Sequence, residues 1–165
     1  MSKLCNVLVK YQAVVYSIML LSNLHNFASA EQYYTKDHLV VDLNTGAEWM
    51  RCSVGQQWSN ETCVGTVLNL NHDLMPQVLE QATQQLGDGW RLPTRRELES
   101  LVCMECGIPK IDKEVFPKTE PVPYWTGQQN KKAKKHFWSV NFYTGYSYGR
   151  FFPFQNLAVR LVRTR

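Results

Sequence analysis

The stretch GWRLPTRRELE, residues 89–99, decides the fold, because there a turn leads into a well-marked helix start. Thr94 is a favourable N-cap residue, and Glu97 follows three positions later, as a reciprocal capping box requires. Leu98 and Leu101 continue at helical spacing and give this helix one apolar face. The sequence therefore predicts a short, capped helix that packs on a core by one side.

An arginine and two tryptophans also suit a structural role. Arg91 stands just before the capped helix, where its planar donor fork can brace loops by binding buried carbonyls or Asp42. Trp90 and Trp125 are expected to fill the core. We therefore interpret the motif as structural and expect binding residues in other loops.

A second helix is predicted upstream, over residues 73–86. Asp73 is the expected N-cap, and apolar residues keep helical spacing from Met75 to Leu86. Gly87 stands just past the end, where glycine commonly terminates helices. Both predicted helices thus lie in the first two thirds of the chain.

Short strands are predicted on either side of the helices, because β-branched and aromatic residues cluster between turn residues. The stretches that predict strands are residues 39–43, 48–51, 67–70, 124–126, 137–142, 146–150 and 158–163. The expected fold class is α+β, with two helices packed on short antiparallel strands in one compact domain.

The first thirty residues resemble a secretory signal peptide. Lys3 and Lys10 form a basic start, an apolar run of about nine residues follows, and Ala28 and Ala30 frame a cleavage site. That run is far shorter than the roughly 20 residues that span a bilayer. We therefore predict a signal peptide at 1–30, a single domain at 31–165, export to the periplasm or cell surface, and no stable membrane span after cleavage.

Charge is unevenly distributed along the chain. Residues 31–120 carry fourteen acidic and eight basic residues, whereas residues 121–165 carry eight basic and no acidic residues. Four of the basic residues stand close together in one short segment: Lys131, Lys132, Lys134 and Lys135. Two interpretations stay open, namely lysines that protect a sheet edge from pairing and a docking patch for an acidic glycan or another polyanion.

Tyrosines alternate with small polar residues shortly after this lysine cluster, over residues 143–149. Tyr146 and Tyr148 could stack on sugar rings beside the basic residues, with Arg150 adding a further cation. The same pattern also fits a strand pair with packed tyrosines. The lysines, Tyr146, Tyr148 and Arg150 together form the candidate ligand-binding set.

Four cysteines follow the predicted signal peptide, and an even count in an exported chain favours disulfides. The favoured pairs are Cys52 with Cys63 and Cys103 with Cys106. The CxxC spacing of the second pair leaves a metal site or a redox-active thiol pair as alternatives. A redox pair is disfavoured, because these cysteines follow the capped helix, whose C-terminal dipole opposes a thiolate.

No recognisable catalytic motif is present in the sequence. The histidines after residue 30 are His38, His72 and His136, and none belongs to an HExxH motif. There is no GxSxG, no P-loop and no GxGxxG. The prediction is a non-enzymatic domain with no cofactor and no metal.

The chain after the signal peptide resembles, nearly end to end, the family named for the C-terminal domain of the Legionella collagen-like adhesin. The matching pieces, in family order, are DLNTG at 42–46, WMRC at 49–52, GQ at 55–56, Trp58, CVG at 63–65, WRLPT at 90–94, EL at 97–98, FP at 116–117, YWT at 124–126, Val140, Phe142, Gly145 and VRLVR at 159–163. This resemblance implies a fold similar to C-type lectin-like domains and to formylglycine-generating and sulfatase-modifying enzymes. Those enzymes need cysteines late in the chain, whereas the last cysteine here is Cys106, so their activity is not implied.

The resemblance also implies a class of ligand, because the adhesin's domain is associated with glycosaminoglycan binding and with trimers. This chain has no Gly-X-Y stalk, which leaves homo-oligomers open. We expect an exported, lectin-like domain that binds acidic glycans or another polyanion and not nucleic acid, which exported proteins rarely meet. The alternative is a protein-interaction component of an envelope, secretion or conjugation assembly, with an envelope protein as its partner.

Overall fold

The computed structural model describes residues 32–164, which form small antiparallel sheets and two short α-helices. This confirms the predicted α+β class. The signal peptide predicted at 1–30 lies outside the described residues, so that boundary stays a prediction. Neither helix in the described part of the chain has the length and hydrophobicity that a bilayer crossing requires.

The strands follow one another in short antiparallel pairs. In chain order they are β1 (Tyr33–Lys36), β2 (Leu39–Asp42), β3 (Ala47–Met50), β4 (Gln56–Ser59), β5 (Thr62–Gly65), β6 (Pro123–Gln129), β7 (Phe137–Asn141), β8 (Tyr146–Phe151) and β9 (Val162–Thr164). Among the described residues they form a four-stranded sheet in the order β1-β2-β3-β9, a β4-β5 hairpin and a three-stranded sheet in the order β6-β7-β8. The helices are α1 (Met75–Leu86), preceded by a 3₁₀ turn at His72–Leu74, and α2 (Arg95–Glu99).

The strand predicted at residues 67–70 is absent, and the one predicted at 158–163 is shorter than expected. In residues 67–70 only Leu70 pairs, through a single bridge to Leu157, and in residues 158–163 regular pairing begins at Val162. Both stretches instead run between elements and hydrogen-bond to them one residue at a time. Propensity suggested strands there, but isolated bridges replace the continuous ladders that a strand needs.

The start of the first helix differs from the prediction. The capping side chain belongs to Asn71, whose Oδ1 accepts a hydrogen bond from the backbone N–H of Leu74 at 3.2 Å. Asp73 lies within the 3₁₀ turn and does not cap it. The prediction for Asp73 is wrong, because a 3₁₀ turn precedes α1 and moves the cap two residues upstream.

The predicted capping box of α2 is confirmed. The Oγ1 of Thr94 accepts from the N–H of Glu97 at 3.2 Å, and the carboxylate of Glu97 accepts from the N–H of Thr94 at 2.7 Å. Arg91 adds a bidentate ion pair to the same carboxylate, with N···O distances of 2.9 and 2.7 Å. The expected Arg91–Asp42 contact is absent from the described residues, because Asp42 accepts from Asn44 and closes the β2–β3 turn.

This arrangement predicts an acid-sensitive contribution to stability. The hydrogen bonds from Arg91 lower the pKa of Glu97 from 4.5 to about 2. Because the folded-state pKa is depressed, the stabilisation is fully present above about pH 4.5 and is lost as pH falls toward about 2. We expect Glu97→Gln to unfold about 1–2 kcal/mol more easily than the unmodified domain at neutral pH, and the gap to close near pH 2.

Urea unfolding at a series of pH values measures this gap. Glu105→Gln serves as the control, since Glu105 is exposed and takes part in no ion pair within residues 32–164. A difference for Glu97→Gln that is constant across the pH range would contradict the assignment.

Two adjoining hydrophobic cores share residues 157–162 as a common wall. Alternate side chains of this segment face opposite cores, as in any extended chain. Leu157, Val159 and Leu161 enter the core that contains Trp90, Trp125 and α1, whereas Ala158 and Val162 enter the core that contains Trp49, Phe116, Tyr124 and Phe142. Trp90 and Trp125 are therefore core residues, as predicted.

Arg160 occupies the remaining inward position of this segment and is fully buried. Its guanidinium lies 4.9 Å from the ring centroid of Phe116. The acceptors for its Nη atoms are the carbonyls of Met50, at 2.8 Å, and Arg51, together with the hydroxyls of Ser53, at 3.2 Å, and Thr119, at 2.7 Å. No carboxylate of residues 32–164 pairs with it. Arg160 is thus a fully buried arginine that binds carbonyls, whereas the less buried Arg51 donates to three carbonyls and Arg91 to that of Leu92.

Candidate functional site

The lysine cluster lies on the loop between β6 and β7, residues 130–136, which we call the lysine loop. β7 is the central strand of its sheet, and β6 and β8 are the edges. The loop therefore projects from the end of the sheet, and its lysines do not run along an edge strand. This placement favours the docking interpretation over edge protection.

Hydrogen bonds hold the lysine loop in one conformation. The N–H of Asn130 donates to the carbonyl of His136 at 2.8 Å, and the N–H of His136 donates to the carbonyl of Ala133 at 2.8 Å. The side-chain Oδ1 of Asn130 accepts from the N–H of Lys132 at 3.0 Å, and its Nδ2 donates to the carbonyl of Gly149 at 2.7 Å. The lysine side chains are thus displayed from an ordered backbone.

The four lysines are exposed, and none forms an ion pair within residues 32–164. Like charges this close repel one another, and the repulsion is reduced when an anion binds between them. Their ammonium groups are therefore available to a negatively charged ligand.

A cleft of about 610 Å³ lies between the lysine loop and α2. Lys131 and Lys132 line one side, and Arg95 and Arg96 line the other. The acidic residue in the lining, Glu99, is already engaged by Arg95 at 2.7 Å. With Arg95 paired to Glu99, three further cations, Arg96, Lys131 and Lys132, face the cleft.

Internal contacts also constrain Arg95 and Glu99. The guanidinium of Arg95 lies 4.1 Å from the ring centroid of Trp138, which fixes its position by a cation–π contact. Burial acts to raise the pKa of Glu99, but hydrogen bonds from Ser147 and Arg95 outweigh it and leave the pKa below its usual range. Glu99 is therefore ionised at neutral pH. Of the two arginines in the cleft, Arg96 is the more exposed.

Gly149 explains why the loop and β8 approach so closely. A Cβ atom at this position would lie 2.7 Å from Nδ2 of Asn130 and 2.9 Å from the indole of Trp138. Only glycine leaves room for both contacts. Substituting it would displace the base of the lysine loop.

The structure separates the residues of the predicted binding set. Arg150 is exposed at the end of β8 that lies near the lysine loop, and its guanidinium lies 5.1 Å from the ring centroid of Tyr148. Tyr148 pairs with Ser139 in mid-strand, and Tyr146 pairs with Asn141 at the opposite end of the sheet. Tyr146 is thus exposed but remote from the lysines.

Sequence reasoning missed Arg95 and Arg96 as members of the basic site. Both were assigned to the structural motif, although two consecutive arginines at the start of a capped helix are a visible signal. Their proximity to the lysine loop depends on tertiary packing of α2 against β6 and β7. No local pattern carries that information.

The cysteines form the two favoured pairs, Cys52–Cys63 and Cys103–Cys106. The first bond ties β4–β5 to the end of β3, and both of its cysteines are buried. In residues 32–164 no group of three or more His, Cys, Asp and Glu side chains lies together as metal ligands would. The cysteines are joined in separate pairs and do not converge on one metal site.

A second depression of about 490 Å³ lies between α1 and the β4–β5 hairpin. Its floor is apolar, and its rim carries the amides of Gln57, Gln81 and Gln85 together with the indole of Trp58, against which Arg51 stacks at 4.2 Å. Among the described residues, no Asp, Glu, Lys or Arg lines this groove. Its chemistry is that of a neutral surface, unlike the basic cleft.

Comparison with known proteins assigns the chain to a family. Residues 38–163 match the Lcl C-terminal domain, Lcl_C. The chain belongs to the Lcl C-terminal domain family. This confirms the resemblance inferred from the motifs, and the match covers the lysine loop, the cleft, the neutral groove and both disulfides.

No curated protein and no solved structure is significantly similar to the chain. Membership in this family does not by itself identify a ligand for the Lcl domain. The function has to be argued from the site itself.

Proposed function

We propose that this Lcl domain is an exported, non-catalytic module with a C-type-lectin-like fold that binds acidic glycans or a related polyanion. The observation that carries the proposal is the lysine loop, which presents four exposed ammonium groups without ion-pair partners in the described residues. Its disulfides are compatible with export, because such bonds persist in oxidising compartments.

The cleft beside the lysine loop supports an extended ligand rather than a single small anion. Arg95 and Arg96 lie across the cleft from Lys131 and Lys132, and Arg150 adds a cation on the neighbouring strand. A chain with repeated negative groups could contact several of these cations at once. Each exposed contact contributes up to about 1 kcal/mol, so affinity requires several of them together.

Retention of the domain on heparin across a salt gradient tests this proposal. Changing Lys131, Lys132, Lys134 and Lys135 to Ser is expected to weaken binding about 100-fold at low salt, or about 2.7 kcal/mol. The salt dependence of binding should also become shallower, since fewer counterions are displaced. Thermal unfolding should be nearly unchanged, because the altered side chains are exposed.

A matched control separates a local site from overall charge. Changing Lys36, at the end of β1, and Lys113 and Lys118, in loops, to Ser removes three exposed cations that lie outside the lysine loop. The control variant should bind heparin nearly as well as the unmodified domain. Equal losses in both variants, or heparin binding that salt does not weaken, would overturn the proposal.

The neutral groove favours a second candidate function, docking of an envelope protein through an uncharged peptide segment. The rim amides of Gln57, Gln81 and Gln85 make no side-chain hydrogen bond within residues 32–164 and could bind a peptide backbone, while the apolar floor accepts side chains. This candidate predicts a protein partner that the lysine-to-serine variant still binds.

A further inference from the structure

Two phenylalanines form an exposed patch next to the lysine loop. Phe154 is 68% exposed and Phe152 is 37% exposed, although aromatic side chains of this size are usually buried. Neither residue contributes to the two cores. Exposed aromatic groups that do not stabilise the fold suggest a binding role.

The local sequence explains why these side chains point outward. Phe151 ends β8 and packs against Trp125, with ring centroids 6.1 Å apart. Strand alternation places the next residue, Phe152, on the other face, and Pro153 cannot continue a strand ladder. The chain therefore leaves the sheet with Phe152 and Phe154 on its outer side.

The three rings of His136, Phe152 and Phe154 form a ladder that begins at the lysine loop. His136 immediately follows Lys135, and its ring centroid lies 4.2 Å from that of Phe152, with the planes tilted by 43°. The rings of Phe152 and Phe154 are nearly parallel, at 11°, with centroids 5.3 Å apart. Phe154 is the outer member of the ladder, and one of its faces is not covered by Phe152.

Hydrogen bonds from the backbone hold the ladder in place. The N–H of Phe152 donates to Oε1 of Gln155 at 2.8 Å, and the N–H of Gln155 donates to the carbonyl of Phe152 at 3.0 Å. The N–H of His72 donates to the carbonyl of Pro153 at 2.7 Å. The open face of Phe154 is therefore presented by an ordered loop, which lowers the entropic cost of binding.

We propose that Phe152 and Phe154 form a stacking platform for a pyranose ring, so that the ligand of the lysine loop is an acidic glycan and not a polyanion without rings. This inference rests on the proposed function, since the lysines supply the ionic contacts. An aromatic face is electron-rich and attracts the C–H groups on the apolar face of a sugar. The anionic substituents of the same sugar chain then lie toward the lysines.

The test measures the affinity of two proteins, the unmodified domain and a Phe152→Ser/Phe154→Ser variant, for each of two polyanions, heparin and inorganic polyphosphate. The variant is expected to bind heparin about five- to tenfold more weakly, with an unchanged salt dependence, and to bind polyphosphate as well as the unmodified domain does. Tyr146→Ser is the matched control, because Tyr146 is 62% exposed but lies at the far end of the sheet.

The outcomes separate this inference from the proposed function. Equal weakening for both polyanions, or no weakening for heparin, overturns the platform while leaving the lysine loop intact. Vesicles that contain phosphatidylglycerol are a third probe for the same variants, and a loss of binding to these vesicles alone would make the aromatic pair a membrane contact and would also overturn it. Failure of the unmodified domain to bind heparin overturns the proposed function itself.

Discussion

Replacing Arg160 by Ala is expected to lower the free energy of unfolding by about 4 kcal/mol or more. The substitution leaves a cavity between the aromatic rings and deprives two carbonyls and two hydroxyls of their donor. Each buried carbonyl left without a partner costs about 1–3 kcal/mol, whereas the hydroxyls keep other hydrogen bonds, Ser53 with Tyr124 and Thr119 with the carbonyl of Phe116. Burial lowers the pKa of Arg160, yet a guanidinium keeps its proton at neutral pH, so the charge is part of the native interior.

Urea unfolding of Arg160→Ala beside three comparison variants tests this expectation. Arg160→Lys should be intermediate, because an ammonium keeps the charge but cannot reach four separate acceptors. Arg150→Ala is the matched control; it removes an exposed arginine and should change stability by less than about 0.5 kcal/mol. An Arg160→Met variant within about 1 kcal/mol of the unmodified domain would show that the clamp is dispensable.

Removing the Cys52–Cys63 disulfide is the second large expected effect. Changing both cysteines to Ser should cost about 3 kcal/mol, since the bond closes a loop between residues eleven apart. The Cys103–Cys106 bond spans only three positions and should contribute about 2 kcal/mol by the same argument. The first bond also anchors the β4–β5 hairpin, whose residues form one wall of the neutral groove.

The two double variants therefore serve as controls for each other. Hydrogen exchange should show earlier opening of β4 and β5 after loss of Cys52–Cys63, and no such change after loss of Cys103–Cys106. Identical stabilities and exchange patterns would indicate that neither bond restrains the hairpin.

Features encoded by neighbouring residues could be predicted from the sequence. The capping box joins Thr94 to Glu97, and both disulfide pairs join cysteines close in the chain. The helix over residues 73–86 was also recognisable from its spacing, although its cap was misplaced. In each case the interacting residues are so close in the chain that their spacing leaves few possible partners.

Features that depend on distant partners could not be predicted. The acceptors of Arg160 lie between 41 and 110 positions away in the sequence. Nothing around it distinguishes it from a solvated arginine near a strand end. Asp42 was one of the partners expected for Arg91, beside buried carbonyls, and the pairing with Glu97 was not recognised, since a planar donor fork fits any nearby carboxylate.

In the candidate site, too, some features depend on neighbouring residues and others on residues that are distant in the sequence. The density of positive charge identified the lysine loop, but Arg95, Arg96 and the aromatic ladder join it only in three dimensions. Tyr146 is close to the lysines in sequence, yet strand pairing carries it to the opposite end of the sheet. Adjacency along a hairpin is therefore a poor guide to adjacency at a surface.

The shared wall formed by residues 157–162 has a consequence for the order of folding. Synthesis proceeds from the N-terminus, so these residues emerge from the ribosome after every other part of both cores. Until they arrive, β3 lacks its neighbour β9, and the two hydrophobic clusters lack a common side. We expect nascent chains that end before residue 157 to stay open and protease-sensitive, so that folding follows synthesis of this segment instead of accompanying it.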